Sequence, residues 1–228
     1  MIIGGFQKFS LIDYPEKISA IVFTQGCNFR CPYCHNPELV LPEKYSNPIP
    51  EEEILSFLDS RRGKLDAVVI TGGEPLLQKD LFDFIKKVKD MGFLVKLDTN
   101  GSMPEVLKEA IKLGVDYIAM DVKAPLEKYR EVVRAEVNEE KIKSSIEIIM
   151  HAGIEYEFRT TVVKSLLSKE DILKIGMLIN GARLYVLQKF IPSKLVDPKF
   201  MKEETYSDEE FEEMKEELKR YVKECIIR

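Results

Sequence analysis

Short runs of β-branched and aliphatic residues alternate along this chain with longer stretches in which apolar residues recur every three or four positions. The runs predict strands, and the longer stretches predict amphipathic helices. The predicted strands are Ile18–Thr24, Ala67–Thr71, Leu94–Asp98, Tyr117–Asp121, Glu155–Val162 and Arg183–Gln188. The predicted helices cover about residues 50–62, 78–91, 103–113, 138–152 and 168–179. Such alternation favours parallel strands joined by right-handed helical crossovers.

The number of strand–helix units selects among the α/β architectures. Six units fall short of the eight that close a barrel, so we expect an incomplete (β/α)6 barrel of parallel strands in preference to a flat doubly wound sheet, although periodicity alone does not separate the two. The chain of 228 residues is predicted to form a single domain over 1–228, with its barrel core at about 15–190. A C-terminal helical extension is expected at about 205–228.

The predicted C-terminal helix begins at Ser207, which forms a capping box with Glu210. Its apolar stripe is Phe211, Met214, Leu218, Tyr221, Val222 and Cys225, spaced by threes and fours. This pattern continues the helix to Cys225 and makes that thiol a small inward-facing hydrophobe, not a metal ligand.

Composition and charge limit which binding partners and which cellular compartment we expect. The net charge of −5 gives no electrostatic reason to expect nucleic acid or an anionic membrane as a partner. Residues 1–8 do not resemble a signal peptide, and no window approaches the roughly 20 apolar residues of a membrane span. Four cysteines, three of them in one loop, make a poor disulfide framework. We therefore expect a protein of the reducing cytoplasm.

Three cysteines, Cys27, Cys31 and Cys34, follow the first predicted strand with the spacing CxxxCxxC. They supply three thiolates, whereas an ordinary [4Fe–4S] cluster takes four, so one iron would stay open to bind a ligand other than protein. Two alternatives remain open from the spacing alone. One is a zinc knuckle completed by His35, and the other is a redox CxxC pair.

Polar or glycine-rich residues also follow the other predicted strands. In chain order they are Thr71-Gly72-Gly73-Glu74-Pro75, Asp98-Thr99-Asn100-Gly101, Asp121-Val122-Lys123 and, within the fifth strand, Arg159. Because parallel α/β folds bind ligands at the carboxyl ends of their strands, these residues predict one polar ligand site.

Each of these segments also has a simpler interpretation. Gly72-Gly73 is compatible with a plain turn, and Asp121 and Lys123, on one face of a strand, with a salt bridge. Asp98 ends an apolar strand and needs a polar partner, as Arg159 needs an anion.

Taken together, the cysteine motif with Tyr33 and the Gly72-Gly73-Glu74-Pro75 turn resemble the radical S-adenosylmethionine (SAM) enzymes. The run from Gln25 to Asn36 is similar to the glycyl-radical-enzyme activases, as are Leu97–Gly101 and Met120–Lys123. Within that group the chain is most similar to the activating proteins of anaerobic ribonucleoside-triphosphate reductase, including its opening Gly5–Pro15.

The resemblance implies roles for residues at matching positions. Cys27, Cys31 and Cys34 would hold a [4Fe–4S] cluster whose open iron binds SAM. The residues implied to bind SAM are Tyr33, His35, Gly72, Gly73, Glu74, Pro75, Asp98, Thr99, Asp121, Lys123 and Arg159. Asp98 and Asp121 would also form a monovalent cation site. No side chain would be catalytic, because cluster and SAM carry the chemistry.

The implied function is that of an anaerobic oxidoreductase that cleaves SAM to a 5′-deoxyadenosyl radical and generates a glycyl radical on a partner enzyme. That partner would be anaerobic ribonucleotide reductase, and reduced flavodoxin or ferredoxin would donate the electron. A monomer is expected because a large client must reach the site. One alternative is a radical SAM enzyme acting on a small molecule, as in deazapurine biosynthesis. A remoter one is a zinc-binding interaction module, which leaves Glu74, Asp98, Asp121 and Lys123 without a shared purpose.

Overall fold

A computed structural model describes residues 1–228 and contains eight strands and eight α-helices. The strands are β1 (Ile3–Ser10), β2 (Ser19–Thr24), β3 (Ala67–Gly72), β4 (Leu94–Thr99), β5 (Tyr117–Asp121), β6 (Glu155–Val162), β7 (Leu184–Lys189) and β8 (Glu224–Ile227). The helices are α1 (Pro37–Val40), α2 (Glu51–Asp59), α3 (Leu81–Asp90), α4 (Pro104–Lys112), α5 (Tyr129–Val133), α6 (Glu139–Met150), α7 (Lys169–Leu178) and α8 (Asp208–Leu218). All eight strands belong to one sheet, in chain order.

The six predicted strands, β2 to β7, each begin and end within one residue of their predicted bounds. Parallel pairing is seen between β2 and β3, β3 and β4, β6 and β7, and β7 and β8. The predicted α/β class with parallel strands is therefore confirmed.

The chain divides into two compact units. The first contains residues 1–28, 38–99 and 105–118, and the second contains residues 29–37, 100–104 and 119–228. In the first unit, β2 pairs with β3 from Ser19 opposite Ala67 to Thr24 opposite Gly72. Helix α3 buries one apolar face, made of Leu81, Phe84, Ile85 and Val88. Such a stripe packs because i, i+3, i+4 and i+7 share one side of a helix.

The second unit contains the parallel pairs β6–β7 and β7–β8, with α7 and α8 in contact. Ser207 caps α8 and forms the predicted capping box with Glu210. Phe211, Met214 and Leu218 of the predicted stripe are buried. The start and the inner face of this helix are thus confirmed.

The predicted continuation of the C-terminal helix to Cys225 is wrong, and so is a helical extension running to residue 228. Helix α8 ends at Leu218, and Cys225 lies in β8, where its register partner is Tyr185 of β7. The edge of β7 offers unpaired backbone groups, and the β-branched Ile226 and Ile227 suit a strand better than a helix. Cys225 is nevertheless a buried small hydrophobe, as predicted, and burial raises the pKa of its thiol to about 12.

Strand β1 was not predicted. It pairs antiparallel with β2, and its register shifts between Ile3 and Gly5 and again between Gln7 and Ser10. Irregular pairing and two adjacent glycines remove the strict alternation that identifies a strand. None of the helices is both long and apolar enough to cross a membrane.

Candidate functional site

In the first unit, the turn after β3 lies against the backbone that leads into Cys27. Gly73 N donates to Thr24 O at 2.9 Å, and Glu74 N donates to Gly26 O at 2.7 Å. A Cβ atom on Gly73 would lie 2.1 Å from Gly26 O, which is closer than any real contact allows. Glycine is therefore required at position 73 because two backbone segments meet there.

Glu74 is 1 % exposed and ends this turn. Its Oε1 accepts hydrogen bonds from Thr99 Oγ1 at 2.8 Å and from Leu76 N at 3.1 Å. Both donors fix one carboxylate oxygen in place. Pro75 begins a 3-10 turn, Pro75–Leu77. The turn thus holds a buried, oriented carboxylate at the carboxyl end of β3.

Asp98, near the end of β4, has the polar partner that its position requires. Lys96 Nζ lies 2.7 Å from Asp98 Oδ1, and the Lys96 side chain is only 3 % exposed. Lys96 Nζ also lies 5.7 Å from the centre of the Tyr117 ring. Lys96 was missed in the sequence, although its i, i+2 spacing from Asp98 on a strand was the available signal.

In the second unit, the loop that carries Cys31 and Cys34 is fixed by backbone hydrogen bonds. Cys34 N donates to Cys31 O at 3.1 Å and closes a turn. The segment after β7 holds the same turn, since Val196 N donates to Cys34 O at 3.0 Å and Asp197 N to Pro32 O at 3.0 Å. None of the three cysteines of the motif forms a disulfide.

Cys31 and Tyr33 are both buried. Burial raises the pKa of the Cys31 thiol to about 11, although the ammonium group of Lys123 acts in the opposite direction. The Tyr33 hydroxyl is buried without a hydrogen-bond partner. An unpaired buried hydroxyl is costly, so a bound group that pairs with Tyr33 would be favoured.

Asp121 is the centre of an ion cluster at the end of β5. Its Oδ1 accepts from Arg159 Nε at 2.8 Å, and its Oδ2 accepts from Lys123 Nζ at 2.8 Å. Burial opposes ionisation, but the Arg159 guanidinium and the Lys123 ammonium together hold the pKa of Asp121 well below its usual range. The pKa of Lys123 is raised by Asp121 against the effect of burial. The predicted salt bridge is thus confirmed, and Arg159 has its anion.

The cluster continues to a second carboxylate. Glu157 is 1 % exposed, and its Oε2 lies 2.9 Å from Arg228 Nη2, while its Oε1 lies 3.9 Å from Arg159 Nη1. Neither Glu157 nor Arg228 was identified from the sequence. Glu157 and Arg159 alternate on one strand and so share a face, which was a usable signal. No sequence feature pointed to Arg228.

His35 is held by the segment that follows β7. Its Nε2 lies 2.8 Å from the carbonyl oxygen of Ile191, and its ring lies 5.9 Å from that of Phe190. Because a carbonyl only accepts, Nε2 carries the proton, and Nδ1 keeps its lone pair. Neither unit by itself contains a group of three or more His, Cys, Asp or Glu side chains that could hold a metal ion.

The donor set nevertheless fits the group that the motif implies. Cys31 and Cys34 bracket a rigid turn in the second unit, and Cys27 follows the Gly26 backbone that Glu74 contacts in the first unit. Thiolates are the ligands that iron–sulfur clusters use. Buried carboxylates and cations close to these loops suit an amino acid ligand, which carries both charges. The individual ligand and contact assignments remain predictions.

Comparison with known proteins shows which family this chain belongs to. Residues 21–185 match the model of the Radical SAM superfamily. A protein of Methanocaldococcus jannaschii named "putative glycyl-radical enzyme activating enzyme" is 38 % identical over 233 residues, which cover 100 % of this chain and 95 % of that protein.

Two further relatives are less similar and differ in activity. The pyruvate formate-lyase-activating enzyme of Clostridium pasteurianum is 28 % identical, over 79 % of this chain and 77 % of that enzyme. The 7-carboxy-7-deazaguanine synthase of Thermococcus kodakarensis is also 28 % identical, over 77 % of this chain and 76 % of that synthase. These two relatives match the two enzymatic hypotheses drawn from the sequence.

Solved structures agree on the fold. A domain of the pyruvate-formate lyase-activating enzyme of Bacteroides vulgatus gives a TM-score of 0.56 at 20 % identity, covering 72 % of this chain and 99 % of that domain. SuiB of Streptococcus suis, bound to S-adenosylmethionine, gives a TM-score of 0.70 at 13 % identity, covering 91 % of this chain and 49 % of SuiB. At these identities the likeness concerns the fold alone.

Proposed function

This chain belongs to the radical SAM superfamily and to its glycyl-radical-enzyme activating group, and from this premise we propose that it activates an anaerobic ribonucleoside-triphosphate reductase. The observation that carries the activase part of the proposal is the 38 % identity that extends over the whole chain and 95 % of a protein named "putative glycyl-radical enzyme activating enzyme". The choice of the reductase as client is supported by the likeness of Gly5–Pro15 to the reductase activating proteins.

The cofactor assignment follows from the donor set. Cys27, Cys31 and Cys34 would hold the [4Fe–4S] cluster, which leaves one iron for SAM. When both are bound, the cluster would pass one electron from an external reductant to SAM, which would give methionine and a 5′-deoxyadenosyl radical able to remove a hydrogen atom from a glycine of the partner. No side chain of this protein needs to take part in that step.

The side chains would bind and orient SAM. Glu74, buried and held by Thr99 and Leu76, would accept from the α-ammonium group. In the second unit, Lys123 and Arg159 offer cations to the carboxylate, and the unpaired Tyr33 hydroxyl offers a further donor. Gly72, Gly73 and Pro75 would set the position of Glu74, and His35 would fix the cysteine loop through Ile191.

The monovalent cation has less support. Asp98 already pairs with Lys96, and Asp121 already pairs with Lys123 and Arg159. These ammonium and guanidinium groups neutralise the carboxylates that the cation would need. The monovalent cation therefore stays a prediction. The cytoplasmic location, the monomeric state and the electron donor, flavodoxin or ferredoxin, are also predictions.

A second candidate function is a radical SAM reaction on a small molecule. The similarity to 7-carboxy-7-deazaguanine synthase favours it, but at 28 % identity over 77 % of this chain that similarity is weaker and shorter. The ion cluster around Asp121 would serve SAM in either reaction, so this cluster does not separate the two hypotheses.

The decisive experiment uses anaerobically reconstituted protein with SAM and dithionite. Mixed with the anaerobic ribonucleoside-triphosphate reductase from the same source, it should produce a glycyl-radical doublet in electron paramagnetic resonance. The Cys34→Ala variant, and a reductase whose radical glycine is replaced by alanine, serve as the controls that must stay silent.

The possible failures are distinguishable. SAM cleavage without a doublet on the reductase, but with one on another glycyl radical enzyme, rejects only the client. SAM cleavage coupled to turnover of a purine-like compound supports the second candidate. Protein that binds zinc and retains no iron rejects both radical reactions.

A further inference from the structure

A groove of about 310 Å³ lies in the first unit, on the face formed by β1 and α2. Its lining residues are Lys8, Phe9, Phe57, Arg61, Lys64 and Leu65. Lys8 and Phe9 come from β1, Phe57 from α2, and the rest from the loop that leads to β3. Three cations and three apolar side chains thus share one small surface.

The aromatic ring of Phe57 lines the groove and contacts two of its cations. The Arg61 guanidinium lies 5.1 Å and Lys8 Nζ lies 5.4 Å from the centre of this ring. Phe6 packs its edge against the same ring at 5.2 Å. Cation–π contacts of this kind hold the two positive charges at the groove without neutralising them.

The cations that line the groove have no anionic partner. Lys8, Arg61 and Lys64 form no salt bridge within 4.0 Å, whereas the adjacent Arg62 pairs with Asp59 at 2.7 Å. The chain as a whole carries a net charge of −5, and many of its other surface lysines pair with a carboxylate. A concentration of unpaired positive charge on an acidic protein is a local exception that favours an anionic ligand.

Exposed apolar side chains occur in the groove and just after the end of β1, the strand that contributes to it. Phe9 is 53 % exposed, and Leu11 and Ile12, which follow β1, are 62 % and 87 % exposed. Contiguous exposed apolar residues with a polar rim are typical of protein–protein contacts. A small anion such as phosphate would use the cations but would leave this apolar surface in water.

The groove lies at the end of this unit's strands opposite to the Gly-Gly-Glu-Pro turn. Ser10 pairs with Ser19, which pairs with Ala67, whereas Gly72 and Thr24 lie at the other end of the same two strands. Five residue steps of a strand span about 16 Å. The groove is therefore separate from the residues that we assign to SAM.

We propose that this groove is a docking site for an acidic segment of a partner protein, in which carboxylates flank an aliphatic or aromatic side chain. The apolar side chain packs on Phe57 and Phe9, and the carboxylates pair with Lys8, Arg61 and Lys64. Nucleic acid is disfavoured because the net charge of −5 repels a polyanion and only three cations are grouped here. The proposal does not depend on the radical reaction.

The test uses the full chain and a fluorescein-labelled peptide, Glu-Glu-Leu-Phe-Glu-Glu, followed by fluorescence anisotropy. We expect saturable binding that weakens as salt rises, because the contacts are charged. Arg61→Glu and Lys64→Glu should each weaken binding about tenfold, which corresponds to 1.4 kcal/mol. Phe9→Ser should also weaken it, and this residue is exposed enough for the variant to fold.

Matched controls test whether binding depends on the cations of the groove and on both the charge and the apolar side chains of the peptide. Lys112→Glu makes the same change in charge on α4 of the same unit and should leave binding unchanged. The peptides Lys-Lys-Leu-Phe-Lys-Lys and Glu-Glu-Gly-Ser-Glu-Glu should bind much more weakly. Equal binding by the groove variants, equal binding of either control peptide, or preference for a thymidine oligonucleotide would each overturn the proposal.

Discussion

Arg159 on β6 donates through Nε to Oδ1 of Asp121 on β5, at 2.8 Å. The two strands are also joined there by the backbone, because Val122 N donates to Arg159 O at 2.9 Å. The side-chain pair is therefore fixed by the sheet and does not depend on flexible loops. Lys123 adds a second cation to the same carboxylate.

Replacement of Asp121 by asparagine should destabilise the protein by about 3 kcal/mol at neutral pH, because two largely buried cations lose their anion. The folded-state pKa of Asp121 lies below its unfolded value, so its stabilisation is complete above the unfolded pKa, about 4. It is lost as the pH falls further toward the folded pKa. Urea unfolding at several pH values should show the two proteins converging below about pH 4. A difference that stays constant down to pH 3 would contradict this assignment.

Thr99→Val should lower the affinity for SAM about tenfold, because Glu74 loses the donor that orients its Oε1. Isothermal titration with SAM on reconstituted protein measures the effect. Thr161→Val is a matched control, since that hydroxyl makes only a 3.4 Å contact with Gln188. If both variants bind SAM like the wild type, Thr99 does not position Glu74.

Gly73→Ala should prevent the turn after β3 from closing, because its Cβ would overlap Gly26 O. We expect a loss of at least about 3 kcal/mol, comparable to other severe steric mutations. Gly63→Ala is the control that measures only the cost of placing alanine at a positive φ. The φ of Gly63 is +72°, and nothing lies within 4 Å of the added Cβ. That variant should lose only about 1 kcal/mol. Thermal unfolding measures the stability that each of the two variants loses. Equal losses of stability would argue against the steric explanation for Gly73.

Cys34→Ala should abolish the cluster, whereas Cys225→Ala should keep four irons per chain because a [4Fe–4S] cluster would use only the three thiols of the motif. Cys225 is buried in β8, so its loss should cost only about 1 kcal/mol of stability. Iron analysis after anaerobic reconstitution checks both outcomes. Loss of iron on the Cys225 change would reject the three-cysteine assignment.

Glu157→Gln should weaken SAM binding, although the residue acts only through its neighbours. Glu157 holds Arg228 at 2.9 Å and supports Arg159, which in turn pairs with Asp121. A double-mutant cycle with Arg228→Gln should show coupling of about 1 kcal/mol in stability. SAM titration of the same variants separates an effect on the orientation of Arg159 from a general loss of stability. Glu157→Gln should weaken SAM binding, whereas Arg228→Gln should change the free energy of unfolding more than the affinity for SAM. Strict additivity would show that the two residues act independently.

The strands β2 to β7 were predictable because their apolar runs are short, β-branched and separated by clear helical periodicity. Strand β8 was not, because Tyr221, Val222 and Cys225 continue the spacing of α8, and only pairing with β7 selects a strand. In the site, the residues at strand ends were predictable from topology. Their pairings were not, since Glu74 with Thr99 depends on the register between neighbouring strands.

The contact between Glu74 N and Gly26 O also limits how these proteins can change over evolution. Loops usually tolerate insertions, because their length is not tied to anything else. Here the peptide just before Cys27 is held at 2.7 Å by the turn after β3, and Gly73 holds Thr24 from the same turn. An added residue between positions 24 and 26 would change the spacing of these two acceptors, so the turn after β3 would lose at least one of the two hydrogen bonds. Homologues should therefore keep the length of this short lead-in to the first cysteine.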